Sequence, residues 1–235
     1  MIIHFTKDIK SLLSILKDKG LRLKYCEEEF SNNRGKISSH AAHPMVSFSE
    51  YDENELEGKT ITYGNCGIAF SDKWVSKKTI HPVSYLDNRS FSASGLETLL
   101  NARRKDPSKL SSELRLAIIK IKCFTKNRIG HNSHFKDKNF KFYEEREWRF
   151  VPTKKQIGGN YISIHASTHK REKEKEKEKE NIKYEHKYNK RIKKYPLTFE
   201  LSDIEYIYAD GKNIDLLMQL YPQLKQKIKS SNWKS

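Results

Sequence analysis

The sequence predicts an α+β fold built as one mixed domain. Short apolar runs suited to strands occur near both ends of the chain, and helical spacing of apolar residues separates some of these runs but not others. The length of 235 residues suits one domain with elaborations, because single domains usually contain roughly 100–200 residues. Strands that are only sometimes separated by helices favour this class over a doubly wound parallel sheet.

The first predicted element is a strand that is followed at once by a helix. Ile2–Thr6 is a short apolar run. Apolar residues then recur at the spacing of a helix that buries one face; they are Ile9, Leu12, Leu13 and Leu16. Gly20 is placed to end this helix.

The middle of the chain predicts three more short strands and two helices. Apolar and polar residues alternate around residues 46–49 and 68–70, and a third apolar run covers 83–86. Leucines at 96, 99 and 100 predict one helix, and apolar residues at helical spacing between 110 and 121 predict a longer one.

The remaining elements are four late strands and a closing helix. The strands are expected at residues 148–151, 161–164, 197–201 and 204–208. Apolar residues at helical spacing between 216 and 228 predict the helix, and we expect Pro222 to kink or split it because proline cannot donate an intrahelical hydrogen bond.

Residues 169–195 form a highly charged tract with twelve Lys and Arg and six Glu. Between 171 and 180 basic residues alternate strictly with Glu, which on a helix places opposite charges at i,i+3 but like charges at i,i+4. We therefore expect a solvated, mobile insertion rather than a stable helix. Either it is a tolerated surface repeat or it is an arm that attracts phosphates. It separates residues 1–168 from the closing elements of the same domain at 196–235.

Composition and missing motifs exclude several classes of protein. The formal charge is +16, and no run approaches the roughly 18 apolar residues of a membrane helix. Three scattered cysteines and no visible leader favour a cytoplasmic protein with free thiols. The phosphate-binding loop, the dinucleotide fingerprint and the serine nucleophile elbow are all missing. The pairs His40/His43 and His131/His134 lack further ligands at a usual metal spacing, so no metal site is predicted.

Two segments are candidates for a site. His4 and Thr6 lie where the first strand meets the first helix, and both could face an anionic or ribose-bearing ligand; alternatively, Thr6 caps the helix. In the second segment, an extended backbone places Glu147 and Arg149 on one face and the aromatic Trp148 on the other. That charged face is either solvated or a site in which the carboxylate is held ionised.

These segments resemble known families. The opening around His4, together with Glu147 in its strand, resembles ADP-ribosyltransferase-like proteins, including toxins that modify DNA. The order of several short motifs resembles the bacterial abortive-infection family AbiGi over about residues 2–152, and weakly at 203–207. The motifs are His4-Phe5-Thr6, Pro44-Met45-Val46-Ser47-Phe48-Ser49, Tyr63-Gly64 and the segment from Phe142 to Arg149.

The resemblance implies roles in binding and using NAD. It implies an ADP-ribosyltransferase-like core over residues 1–168, with His4 binding the ribose next to adenine and Tyr63 stacking on nicotinamide. Glu147 would hold a ribose hydroxyl and stabilise the positive charge that forms when nicotinamide leaves. Arg149 and Arg146 either hold the pyrophosphate or pair with Glu144 and Glu145.

Two functions follow as hypotheses. The first is an NAD-dependent ADP-ribosyltransferase of phage defence that modifies nucleic acid or a protein. The second is a catalytically inactive antitoxin, or a nucleic-acid- or partner-binding module, on the same fold; AbiGi-like proteins are named as antitoxins or resistance components. A metal-dependent nuclease that uses Glu144, Glu145 and Glu147 is a weaker alternative.

The expected partners follow from charge. We expect nucleic acid, and a cognate toxin or antitoxin, but no membrane, because a basic surface attracts polyanions. Aromatic residues between residues 135 and 143 are interleaved with basic ones and either stack single-stranded bases or belong to the core; they are Phe135, Phe140, Phe142 and Tyr143 among Lys126, Arg128, Lys136, Lys138 and Lys141.

Overall fold

The protein has the α+β architecture that the sequence predicts. A computed structural model describes residues 1–132, 136–178 and 185–234. The strands are β1 (Ile2–Thr6), β2 (Gly20–Leu21), β3 (Lys24–Ser31), β4 (Ile37–Glu50), β5 (Cys66–Phe70), β6 (His81–Pro82), β7 (Ser84–Leu86), β8 (Thr125–Asn127), β9 (Ile129–Asn132), β10 (Asp137–Lys141), β11 (Glu147–Phe150), β12 (Ile164–His165), β13 (Leu197–Thr198), β14 (Ile204–Ala209) and β15 (Ile228–Ser230). The helices are α1 (Ile9–Asp18), α2 (Glu53–Leu56), α3 (Asp72–Lys77), α4 (Phe91–Lys105), α5 (Ser112–Cys123), α6 (Ala166–Glu178), α7 (Lys187–Ile192) and α8 (Ile214–Leu220).

A central sheet organises these elements around the long strand β4. Its strand order is β15-β14-β5-β1-β4-β11-β6, and the first half of β4 also pairs with β3 and β12. Every neighbouring pair is antiparallel except β14 and β15, which are parallel. The second half of β4 lies between β1 and β11, so this strand connects the two ends of the sheet.

The two faces of the sheet bury different sets of side chains, because side chains alternate along each strand. On the first face, Phe48 and Phe70 pack with Trp74 of α3 and with the apolar side of α1, and the Phe70 and Trp74 rings stack at 4.1 Å. On the second face, Ile3 and Phe5 belong to an apolar cluster at one end of the sheet. A separate cluster at the other end of this face is covered by α4 and α5. A polar group of side chains lies on the second face between these two clusters.

The ends of α1 differ from their prediction. Asp8, not Thr6, caps the helix: its carboxylate accepts a hydrogen bond of 2.8 Å from the backbone N–H of Ser11. Lys19, which caps the C-terminal end of α1, adopts the left-handed backbone conformation, with φ of 44°. Gly20 instead begins β2, where Pro196 packs so closely that a Cβ would meet the proline ring at 3.0 Å.

The late elements agree with the sequence in part. The split at Pro222 is confirmed, since α8 ends at Leu220 and a short 3-10 segment covers Pro222–Lys227. The last apolar residue of the predicted helix, Ile228, belongs to β15 instead. The strands predicted at 161–164 and 197–201 are shorter than expected, with only Ile164–His165 and Leu197–Thr198 paired.

One part of the prediction for the charged tract is wrong, because the tract begins in a helix. Its first part belongs to α6, where His169 and Glu172 are buried. The His169 ring bonds the carbonyl oxygen of Tyr25 on β3 at 3.0 Å, and burial of the side chains on this face outweighs the unfavourable i,i+4 charge pairs. After residues 179–184, which lie outside the described residues, α7 returns to the core and buries Ile192. Within the described ranges, no helix has the length and apolar character to cross a bilayer.

Candidate functional site

The polar group on the second face is centred on Glu147 and Arg149 of β11. Glu147 pairs with Ser49 of β4, and Arg149 pairs with Ser47, so the two charged side chains share one face as predicted. Both side chains are buried: Glu147 is 8% exposed and Arg149 is fully enclosed. The charged face is therefore covered rather than solvated.

The Glu147 carboxylate is held by four donors. One oxygen accepts hydrogen bonds from the Ser47 hydroxyl at 2.7 Å and from Arg149 Nε at 2.9 Å. The other accepts from Arg149 Nη2 at 2.9 Å and from Lys126 Nζ of β8 at 3.0 Å. The backbone N–H of Glu147 donates to the hydroxyl of Tyr85 on β7 at 2.8 Å. Because a carboxylate offers about four lone-pair positions, these donors occupy its hydrogen-bonding capacity.

Arg149 connects this carboxylate to a second one. Its guanidinium bonds Glu147 through two nitrogens and reaches Glu28 of β3 at 2.7 Å. It also donates to the backbone carbonyl oxygen of Cys123 at the end of α5. The arginine thus ties β11 to β3 and α5 in a planar, bidentate geometry that lysine cannot reproduce.

The charges in this cluster keep one another ionised. Burial opposes ionisation of Glu147, but the Arg149 and Lys126 charges outweigh it and hold the pKa of the carboxyl well below its usual range. The pKa of Glu28 is lowered in the same way, mainly by Arg149 against the effect of burial. Burial would lower the pKa of Lys126, yet the Glu147 and Glu28 carboxylates raise it well above its usual value. The cluster is therefore charged at neutral pH.

Tyr63 lies at the solvent edge of the same network. Lys126 Nζ bonds Glu145 at 2.8 Å as well as Glu147, and the Tyr63 hydroxyl donates to Glu145 at 2.9 Å. Tyr63 is 53% exposed. Desolvation of its hydroxyl and the Glu145 charge raise its pKa. A chain of hydrogen bonds therefore runs from an exposed tyrosine to the buried Glu147.

His4 and Thr6 are not part of this network. Ile3 lies in the same row as Ser49 and Glu147, so the side chain of the next residue, His4, points to the opposite face of the sheet. There the His4 ring contacts the edge of Phe48 at 5.7 Å between centroids, and its Nδ1 donates to the Ser47 carbonyl oxygen at 2.9 Å. Burial lowers the pKa of His4. Thr6 shares the His4 face at the end of β1.

Arg146 and Glu144 have other ion-pair partners than the sequence predicts. The two predicted alternatives are that the arginines hold a pyrophosphate or pair with Glu144 and Glu145. Arg146 pairs with Glu55 at 2.7 Å rather than with Glu144 or Glu145. Glu144 pairs with Lys141 at 3.4 Å. The three glutamates at 144, 145 and 147 therefore do not converge on one point, and the described chain has no cluster of three or more acidic, His or Cys side chains arranged to hold a metal ion.

The interleaved aromatic and basic residues are largely in contact with each other. Lys126 Nζ lies 4.9 Å from the centre of the Phe142 ring, and the Arg128 guanidinium lies 4.6 Å from that of Tyr143. Phe140 packs edge-on against Phe142 at 5.0 Å. Phe135 lies outside the described residues.

Two more buried groups border the network and were not identified from the sequence. The Lys122 ammonium of α5 and Nε2 of His43 on β4 are both enclosed, and neither has a hydrogen-bond partner within the described protein. Burial, together with the nearby Lys122 charge, lowers the pKa of His43 to about 4. Glu28 lay within the run Glu27-Glu28-Glu29, which gives no sign of burial because both flanking residues are also acidic.

Comparison with known proteins identifies the family. A family model described as "Putative abortive phage resistance protein AbiGi, antitoxin" matches residues 20–210. No curated protein and no solved structure matches the chain, so the resemblance to ADP-ribosyltransferases has no counterpart in these comparisons. Because the match covers most of the 235 residues, the chain belongs to the AbiGi family of abortive phage resistance proteins.

Proposed function

We propose that this protein is an antitoxin that restrains an abortive-infection toxin by binding, without NAD chemistry of its own. The family description supports the antitoxin role. One observation supports binding without catalysis: the oxygens of the Glu147 carboxylate already accept four hydrogen bonds from Ser47, Arg149 and Lys126.

The surroundings of Glu147 do not fit the transferase reaction. A catalytic glutamate has to accept a hydrogen bond from a ribose hydroxyl and present negative charge to the positive charge that develops at the ribose carbon. Here Arg149 and Lys126 place two cations against this carboxylate. These cations oppose the developing positive charge, and no oxygen lone pair is left for the ribose.

The position of His4 supports the same conclusion. An ADP-ribosyltransferase with the predicted site would need His4 and Glu147 to contact one NAD molecule. Their side chains lie on opposite faces of the sheet. His4 also uses Nδ1 to hold the Ser47 carbonyl oxygen of the neighbouring strand. The residues therefore do not fit NAD as a shared ligand of His4 and Glu147.

The test combines a cellular assay with an enzymatic one. A candidate abortive-infection toxin is expressed alone or together with this chain, and growth is followed. We expect the wild type to restore growth and Tyr63→Phe to do the same, since that change removes one hydrogen bond to Glu145 and leaves the donors to Glu147 in place. Purified wild-type protein with NAD, with and without mixed nucleic acid, is expected to release no nicotinamide above background.

One result would overturn the proposal. It is nicotinamide release, or transfer of labelled ADP-ribose, by the wild type that disappears in Glu147→Gln while the variant keeps its melting temperature. Arg146→Gln is the matched control. It removes a charge in the same segment, from the ion pair of Arg146 with Glu55, which does not involve the Glu147 side chain.

A further inference from the structure

A basic cavity lies at the end of the molecule where the β3–β4 turn meets the C-terminal half of α4. Its volume is about 420 Å³, and residues from both elements line it. This volume falls within the ~300–1,000 Å³ range of small-molecule sites. The cavity is separate from Glu147 and from the two apolar clusters of that face.

Four cations border the cavity, and the carboxylate that also lines it, that of Glu97, bonds Asn32 and Ser38 rather than a cation. Arg34 and Lys36 come from the turn, and Arg104 and Lys105 come from the last turn of α4. All four are exposed, and none of them takes part in an ion pair within residues 1–132, 136–178 and 185–234. Cations at a helix C-terminus complement the helix dipole, which accounts for the α4 pair but not for Arg34 and Lys36.

Hydrogen bonds fix the turn that carries two of these cations. The Asn32 side-chain oxygen accepts from the backbone N–H groups of Arg34 and Lys36, each at 3.0 Å. Its Nδ2 donates to Glu97 of α4 at 2.8 Å, and the Ser38 hydroxyl donates to the same Glu97 oxygen at 3.1 Å. The turn is thereby fastened to α4. Because the scaffold is already ordered, a ligand that bridges the two elements meets a preorganised arrangement of cations.

The lining also offers groups that suit a nucleoside. Asn33 can donate and accept hydrogen bonds, and Asn101 can donate through Nδ2 while its Oδ1 accepts from Arg104 Nη2 at 2.7 Å. Ile37, which is 43% exposed, presents an apolar surface. Arginine guanidinium groups bind phosphate oxygens in a bidentate manner and can also stack on bases. We propose that this cavity binds a nucleoside phosphate, either a free nucleotide or one unit of a single strand. The cations would hold the phosphate and the amides would contact the base or sugar.

The test compares two variants of equal net charge by fluorescence anisotropy. Arg34→Gln/Lys36→Gln/Arg104→Gln removes three cations of the cavity, and Lys10→Gln/Lys17→Gln/Lys77→Gln removes three exposed lysines elsewhere. Labelled single-stranded RNA and DNA 12-mers are the probes, with ATP and GTP as competitors. We expect the cavity variant to lose at least about tenfold in affinity. The slope of log affinity against log salt concentration should be smaller by about 0.7, which is the contribution of one phosphate contact in a single strand.

The competitors distinguish the two sources of the ligand. If ATP or GTP displaces the 12-mer from the wild type and binds the cavity variant weakly, the ligand is a free nucleotide; if only strands bind, it is a nucleic acid. An equal loss of affinity in both variants, or no binding of any probe by the wild type, would overturn the proposal. Melting temperatures of both variants are expected to stay close to that of the wild type, because the substituted side chains are exposed.

Discussion

At the scale of single residues, Arg149 is the side chain on which the polar face depends most. It is fully enclosed and bonds Glu147, Glu28 and a backbone carbonyl oxygen. A buried ion cluster of this kind contributes little compared with a well-packed apolar core, because removing charges from water is unfavourable. Loss of one partner has a much larger effect, because it leaves an opposite charge buried without compensation.

Replacing Arg149 with Met should therefore destabilise the fold by about 3–5 kcal/mol. The change keeps a long apolar side chain but leaves Glu28 without its arginine partner. Urea unfolding followed by circular dichroism measures the effect. Arg146→Gln, which breaks an exposed ion pair in the same segment, should have a much smaller effect; equal losses in the two variants would contradict the prediction.

His43 makes stability depend on pH in a definite direction. Its pKa is lowered from 6.5 to about 4 by burial and by Lys122, so the folded protein keeps this ring neutral while the unfolded chain protonates it. Stability is complete above pH 6.5 and falls as the pH decreases toward about 4, by about 3 kcal/mol from this residue. His4 and His169, whose pKa values burial also lowers, act in the same direction.

The corresponding measurement is the free energy of unfolding between pH 7 and 4. We expect His43→Gln to flatten the pH dependence, because an amide does not titrate in this range. His81→Gln, which changes an exposed ring, serves as the control. A slope that is identical in the wild type and His43→Gln would rule out this role.

At the scale of elements, the helix α6 shows how tertiary contacts decide the conformation of a polar segment. Its charges alone do not favour a helix, because like charges lie at i,i+4. Its buried face is held by His169, which contacts both Tyr25 and Glu27 of β3. Propensity is a weak prior that such contacts override.

His169→Ala should consequently loosen α6 without unfolding the protein. The expected result is several-fold faster trypsin cleavage at the basic residues of α6, since proteases cut segments that open locally. Ser167→Ala changes an exposed residue of the same helix without removing a trypsin site and is the control. If the two variants are cleaved at the same rate, His169 does not anchor the helix.

At the scale of the whole molecule, short-range features were predictable and long-range pairings were not. The strand Ile2–Thr6 and the break at Pro222 depend only on neighbouring residues, and both are present. The pair of Glu28 and Arg149 joins positions 121 residues apart, so no local pattern indicates it. The shared face of Glu147 and Arg149 followed from strand alternation. Its burial did not, because it depends on how α5, β7 and β8 cover the sheet.

The length of β4 has a consequence for how the molecule unfolds. One half of this strand pairs with β3 and β12, and the other half pairs with β1 and β11, with Pro44 just before the change of partners. Separating either set of partners exposes backbone groups of the same continuous strand. The two ends of the sheet are therefore coupled in one cooperative unit, so amide hydrogens in both halves of β4 should exchange with solvent only when the whole sheet opens.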